Sequence, residues 1–272
     1  MAEHPLQNNN DSHIGHEPKA GPVKNHMPPD VDGSPMLCEI LDVDGSFNVR
    51  DLGGYVSAGG KVVKYRRFIR SGSLFELTEQ GKLDLLGWGV RCIIDIRSRR
   101  EVEEKPSAVM GDPRFVRIHV PMLDYIHSRM AEEMSGPFPA SLEEMYIGLL
   151  EQGKDGFRQL FELFASPDYE SYLFHCTAGK DRTGVTAMLL LTLAGVDDQT
   201  IVQDYNHSEK LLRDLFVRQA PNIPQYLCFA RPETMRIALH YLDSRYGGAQ
   251  AYLSNIGITQ DVRNAVLAKL FD

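Results

Sequence analysis

From about Leu41 to the C-terminus, short runs of apolar residues alternate with longer stretches in which apolar positions recur every three or four residues. The first pattern predicts buried strands, the second helices that bury one side. Ser46 to Val49, Lys61 to Val63 and Arg67 to Ile69 are short strand candidates separated by Gly53-Gly54 and Gly59-Gly60, which predicts a small hairpin at the domain's edge. Thr78 is placed to cap a helix to about Leu86, and Arg91 to Ile96 and Phe115 to Val120 read as buried strands. Ser141-Leu142-Glu143-Glu144 has the form of a capping box opening a helix to about Leu150. Asp155 to Ala165 then puts Phe157, Leu160, Phe161 and Phe164 on one helical face. Tyr172 to Phe174 ends another buried strand, and Val185 to Val196 reads as a core helix. Further helices are predicted near Asp197 to Tyr205, His207 to Arg218, Pro232 to Tyr246, Ala249 to Ser254 and Thr259 to Leu270, with Pro221 and Pro224 marking a break. Alternating strands and helices imply an α/β fold around a parallel or mixed sheet, with a largely helical C-terminal third.

Residues 1–37 depart from this pattern. They hold six of the fifteen prolines and four of the nine histidines, and no aromatic residue precedes Phe47, so the segment cannot build a core and reads as a disordered tail. Residues 38–272 are left as one domain, long enough to bury a full core. His4, His13, His16 and His26 are irregularly spaced in the Pro-rich segment and read as solvated residues, so neither a metal nor a cofactor is expected. The longest apolar run, Val185 to Val196, is shorter than the ~20 residues of a membrane span. A net charge of -8 argues against a general nucleic-acid or anionic-membrane surface, so any basic patch is focal. The cysteines, at 38, 92, 176 and 228, show no paired short spacing, which speaks against a zinc site or a disulfide framework and for a reducing, cytoplasmic location. Oligomeric state is not encoded in any of these features.

The chemistry concentrates in His175-Cys176-Thr177-Ala178-Gly179-Lys180-Asp181-Arg182-Thr183-Gly184, between the last strand and the core helix. A loop at a helix N-terminus presents unpaired backbone N–H groups to an anion. A thiol there, beside a guanidinium, favours the attacking thiolate form, so Cys176 is the expected nucleophile. Arg182 follows six residues later, close enough for its planar fork to hold two phosphate oxygens. Gly179 lets the backbone curl, Thr183 is placed to hydrogen-bond the sulfur, and Thr177, Ala178, Lys180 and Asp181 contribute mainly backbone donors. His175, next to Cys176 on a strand, points to the opposite face and is expected to support the loop from behind.

The ten residues resemble the loop of the cysteine-dependent protein tyrosine phosphatases, Cys-x5-Arg-Ser/Thr, and the internal Lys180-Asp181 pair is similar to the form in the atypical bacterial and fungal subgroup. Asn48 to Tyr55 (Asn-Val-Arg-Asp-Leu-Gly-Gly-Tyr), Arg70-Ser71-Gly72, Asp95-Ile96-Arg97-Ser98 with Glu101, and Tyr246-Gly247-Gly248 with Tyr252-Leu253 look like that subgroup's other signatures. The resemblance spans about Leu41 to the C-terminus. It implies a three-layer α/β fold, a phosphocysteine intermediate and no metal.

An acid must also protonate the leaving oxygen. Asp124 follows a strand upstream of the nucleophile, though 52 residues and two helices intervene; Asp181 lies inside the loop; Asp95 ends a central strand. Arg50-Asp51 reads as an ion pair bracing the hairpin against the sheet in preference to a substrate contact, and Arg66, Arg67, Arg70, Arg97, Arg99 and Arg100 as either an anionic-substrate rim or solvated faces. The expected activity is hydrolysis of phosphotyrosine or dual-specificity protein substrates. Lys180 keeps phosphoinositides as an alternative, while Thr177 stands where lipid-directed relatives often carry a second lysine. A phosphate-binding interaction module without turnover is the reading from another class.

Overall fold

The computed structural model describes residues 38–122, 141–219 and 228–272, with the backbone alone described for 214–219. The proposed tail of residues 1–37, Asp124, Pro221 and Pro224 lie outside the described residues. Five strands, β1 (Arg50–Asp51), β2 (Phe68–Ser71), β3 (Cys92–Asp95), β4 (Val116–His119) and β5 (Tyr172–His175), form one sheet in the order β1-β2-β5-β3-β4. β1 is antiparallel to β2 and the remaining pairs are parallel.

Alternation along the buried strands sorts side chains between two cores. Phe68, Cys92, Ile94, Tyr172 and Phe174 face the larger core, and Ile69, Ile93 and Leu173 the smaller. The larger lies under α3 (Leu142–Gln152), α4 (Lys154–Phe164), α5 (Asp181–Leu193), α6 (Asp198–Gln219), α7 (Pro232–Tyr246), α8 (Ala249–Asn255) and α9 (Gln260–Phe271). The smaller lies under α1 (Glu79–Gly87) and its flanking loops; α2 (Arg99–Glu104) follows β3. The described residues thus form a mixed α/β fold with the sheet between helices.

Local signals place most of these elements. Thr78, Ser141 and Thr259 each accept a hydrogen bond from the backbone N–H three residues on, capping α1, α3 and α9. α5 is buried on almost every side, which explains its lack of a polar face. It begins at Asp181, four residues ahead of the expected Val185, because its first turn belongs to the phosphate-type loop.

Three expectations change. Ser46 to Val49 is not a strand: Asn48 adopts φ 54°, a left-handed conformation, and pairing starts only at Arg50. Lys61 to Val63 contributes a single bridge, Val62 to Val56. The two helices expected from Asp197 to Arg218 are one, α6, in which no Gly or Pro interrupts the chain and Asp204, His207 and Ser208 are buried. α2 was not anticipated, although Ser98 and Glu101 form a complete capping box.

Arg50 does not pair with Asp51. Its Nε meets Asp204 Oδ1 at 2.9 Å, while Asp51 accepts from the backbone N–H groups of Gly53 (2.8 Å) and Arg66 (2.6 Å). Burial pushes the Asp51 carboxyl up to about 6, against those two hydrogen bonds. Arg70 Nη1 reaches Asp204 Oδ2 at 2.5 Å, and the Tyr55 hydroxyl donates to Oδ1 at 3.1 Å. Burial would raise the Asp204 pKa, but the two guanidinium groups outweigh it and hold the carboxyl well below its usual range. One carboxylate therefore anchors the edge strand β1 and its neighbour β2 to α6. Asp204→Ala leaves two buried guanidinium groups without a counter-ion and is expected to cost about 3–5 kcal/mol, read as a lower urea midpoint at unchanged m-value.

Candidate active site

β5 ends at His175 between β2 and β3, and the chain turns through Cys176 to Lys180 before entering α5. The loop therefore sits at the C-terminal edge of the sheet, where α/β folds leave a crevice. Gly179 makes the bend at φ 68°, and a Cβ there would lie 2.4 Å from the Ser71 carbonyl oxygen, so only glycine fits. Cys176 is 2% exposed. Among the described residues, the backbone N–H groups of Thr177, Ala178, Gly179 and Lys180 have no acceptor. An anion supplies acceptors to such a set at once.

The carbonyl side is occupied. Ser73 N–H donates to Thr177 O at 2.9 Å and Gly184 N–H to Lys180 O at 2.8 Å. His175 Nδ1 lies 3.2 Å from the Cys176 carbonyl, which can only accept, so Nδ1 carries the hydrogen and the imidazole supports the loop as expected. Burial pushes His175 down to about 4, despite Asp95 at 3.7 Å from Nε2.

Arg182 lies over the loop with its terminal nitrogens on Glu101: Nη1 to Oε2 and Nη2 to Oε1, both 2.7 Å. Burial works against the guanidinium charge, and the Glu101 contacts outweigh it, leaving the pKa raised. The fork thus faces Glu101. Nε donates to no described residue and, with the remaining Nη hydrogens, is left for an anion. Glu101 is itself held by Ser98 N–H at 2.7 Å and receives the Thr177 hydroxyl. Sequence reasoning named Glu101 without a role; the Ser98-x-x-Glu101 capping box was the available signal for its placement. Thr183 Oγ1 is buried and has no partner, so the hydrogen bond to the Cys176 sulfur suggested by the sequence is not formed here.

Of the acid candidates, Asp95 is fully buried and engaged by Arg97 (2.9 and 2.8 Å) and Arg117 (2.9 Å). Burial alone would raise its pKa, but His175 and the two arginines hold it far below the usual carboxylate range, which leaves it no proton to give. Asp181 is one-fifth exposed; Oδ1 accepts from Tyr146 (3.0 Å) and Lys180 (2.5 Å), and Oδ2 has no partner among the described residues. The Lys180 charge is therefore spent on Asp181. Of the arginines read as either a rim or solvated faces, Arg66 and Arg99 are exposed. Arg70 and Arg97 are buried, and Arg67 and Arg100 pair with Glu170 and Glu104. Among the described residues no three His, Cys, Asp or Glu converge as metal ligands would, and no helix is long and apolar enough to cross a membrane.

A family model described as "Tyrosine phosphatase family" matches residues 41–272. The chain belongs to the tyrosine phosphatase family. This phosphatase is 34% identical over 207 residues to a tyrosine-protein phosphatase of Nostoc commune, covering 71% of this chain and 70% of the relative. It is 24% identical over 274 residues to the triple specificity protein phosphatase PtpB of Mycobacterium tuberculosis, covering 83% and 96%. The solved structure of P. aeruginosa TpbA superposes at a TM-score of 0.36 with 17% identity, covering 87% of this chain and 98% of the other. The protein is accordingly a phosphatase, a hydrolase acting on phosphorylated substrates.

Glu101→Gln preserves the capping partner of Ser98 but removes the ion pair that orients Arg182. Because a misplaced catalytic group can cost on the order of 10²-fold, kcat/KM on an aryl phosphate is expected to fall by about that factor with little change in helix content by circular dichroism. A wild-type value would show that Arg182 is oriented by something else.

Proposed function

We propose that this phosphatase hydrolyses phosphotyrosine, or phosphotyrosine together with phosphoserine and phosphothreonine, in protein substrates through a phosphocysteine intermediate. The observation that carries the reading is a buried Cys176 followed directly by four backbone N–H groups without acceptors among the described residues, with Arg182, six residues on, held by Glu101. The Cys176 thiolate attacks phosphorus, a P–S bond forms and the P–O ester bond breaks, and the leaving oxygen takes a proton from a carboxylic acid. Water then attacks the phosphocysteine and gives a proton back to the carboxylate, the P–S bond breaks, the thiolate is restored and inorganic phosphate is released. Throughout, the loop amides and Arg182 carry the developing charge without having to reorganise. Thr183, whose buried hydroxyl has no partner, is the residue proposed to hold the departing thiolate.

Asp181 and Asp124 are the two candidate proton donors on this reading: Asp181 has one unpartnered carboxylate oxygen and is partly open to solvent, but its pairing with Lys180 favours the ionised form. Residues 38–272 form the catalytic domain and residues 1–37 precede it. The name of the mycobacterial relative, a triple specificity protein phosphatase, supports a range broader than phosphotyrosine. Phosphoinositides are the second reading, disfavoured because Lys180 is neutralised by Asp181. The intact Cys176, Arg182 and Thr183 speak against a module that only binds.

Cys176→Ser is expected to abolish turnover of an aryl phosphate while inorganic phosphate still binds by calorimetry, since the amide ring survives loss of the nucleophile. Turnover in that variant would refute the covalent mechanism. Wild-type rates on phosphotyrosine peptide, phosphoserine peptide and soluble inositol phospholipid decide the substrate class.

Asp181→Asn and Asp124→Asn are to be compared on an aryl phosphate with a good leaving group and on an alkyl phosphate. The donor's variant is expected to lose about 10²- to 10⁴-fold on the alkyl ester and far less on the aryl ester. Equal losses on both esters would remove Asp181 from the role.

A further inference from the structure

A peptide unit is planar, and its N–H and C=O point to opposite edges. Each amide hydrogen turned toward a bound anion therefore turns the preceding carbonyl into the protein, where it needs a donor. For two of the four unpartnered amides, those of Gly179 and Lys180, the carbonyls concerned are Ala178 O and Gly179 O. Both are held by Asn48, whose Nδ2 donates to Ala178 O at 2.9 Å and to Gly179 O at 3.1 Å. Arg70 Nη2 adds a second donor to Gly179 O at 2.9 Å.

The orientation of the Asn48 amide is set by its neighbours. Its Oδ1 lies 2.5 Å from Arg50 Nη1, which can only donate, so Nδ2 must face the carbonyls. Arg50 is fixed in turn by Asp204 and by Ser208 Oγ at 3.0 Å. Asn48 reaches the loop from a backbone at φ 54°, which asparagine tolerates better than most residues. It is buried, and the polar contacts of its side chain join the loop, Arg50 and Ser208.

We propose that Asn48 is a positioning residue for phosphoryl transfer: its carboxamide, assisted by Arg70, holds the 178–179 and 179–180 peptide planes with their amide hydrogens facing the phosphate. The role rests on the proposed function above. The carboxamide gives the loop geometry what a hydrophobic contact cannot, a fixed direction for two peptide dipoles.

Asn48→Asp replaces the N–H₂ by a carboxylate oxygen of nearly the same size and adds a negative charge, so Asn48→Gly, which removes the same donors without the charge, is measured beside it. Asn48→Asp keeps the contact to Arg50 and tolerates the left-handed backbone, but it cannot donate to either carbonyl. By analogy with loss of an oxyanion donor, kcat/KM on an aryl phosphate is expected to fall by about 10²-fold or more. Calorimetric affinity for inorganic phosphate is expected to fall by about tenfold or more, with Tm within about 4 °C of wild type. Phosphate affinity and kcat/KM within about twofold of wild type in either folded variant would overturn the role, whatever the Tm. Asn48→Gly keeps the φ angle and is read by the same criteria, alone should Asn48→Asp fail to fold; failure of both to fold would make Asn48 a residue of the fold alone and overturn the role. Wild-type protein that neither binds phosphate nor hydrolyses the ester would overturn the proposed function and this role with it. Wild-type protein that does both, beside an indistinguishable Asn48→Asp variant, would overturn only the role of Asn48.

Discussion

A ring of amide hydrogens cannot be built alone, because every N–H turned inward carries a carbonyl turned outward. The five carbonyls from Cys176 to Lys180 all have donors: His175, Ser73, Asn48, Arg70 and Gly184. One donor comes from β5, one from β2, two from the segments flanking the edge pair and one from α5 itself. The amides of Thr177 to Lys180 meanwhile lack acceptors among the described residues. The site is consequently a property of the sheet edge as much as of the loop, since moving β1 or β2 would release the carbonyls and with them the amides.

Behind this ring lies a second requirement, that the donors themselves stay in place. Arg50 and Arg70 are completely buried, and a buried guanidinium is costly unless its hydrogens and charge are met. Asp204, on α6, pairs with both, and Asn48, Ser208 and the carbonyls of Asp204 and Gly179 accept further hydrogens. On the other side, α3 contributes Tyr146 to Asp181, and the C-terminal helices steady α3 through Tyr246 on Glu151 (2.5 Å) and Tyr252 on Leu150 O (2.7 Å). The late tyrosines thus brace α3, the helix that supplies Tyr146.

What the sequence disclosed follows from how local each signal is. Thr78, Ser141 and Thr259 announce helix starts because capping needs only residues three apart, and the aromatic face of α4 is a matter of period. Cys176, Gly179 and Arg182 were legible because strand, turn and helix N-terminus follow one another directly. Glu101 was not assigned, since its partner Arg182 is 81 residues away and nothing local shows which cation a capping carboxylate will also meet. Asn48 misled for a related reason: Val49 and its neighbours have strand propensity, but the left-handed φ is imposed by partners 130 residues on. The pairing of Arg50 with Asp51 failed because adjacent strand residues point to opposite faces, which leaves Arg50 inside with Asp204 and Asp51 toward the turn.

Charge completes the argument about substrate. The ion pairs around the loop involve six cations, Arg50, Arg70, Arg97, Arg117, Lys180 and Arg182, against four carboxylates, Asp95, Glu101, Asp181 and Asp204. With the Cys176 thiolate counted, the local excess is one positive charge, in a chain whose net charge is -8. In a desolvated setting an excess of that size acts on an entering anion far more strongly than the same charges would in water, whereas the acidic remainder of the surface is screened within about 10 Å at ordinary ionic strength. Attraction is thereby confined to a group small enough to reach the loop.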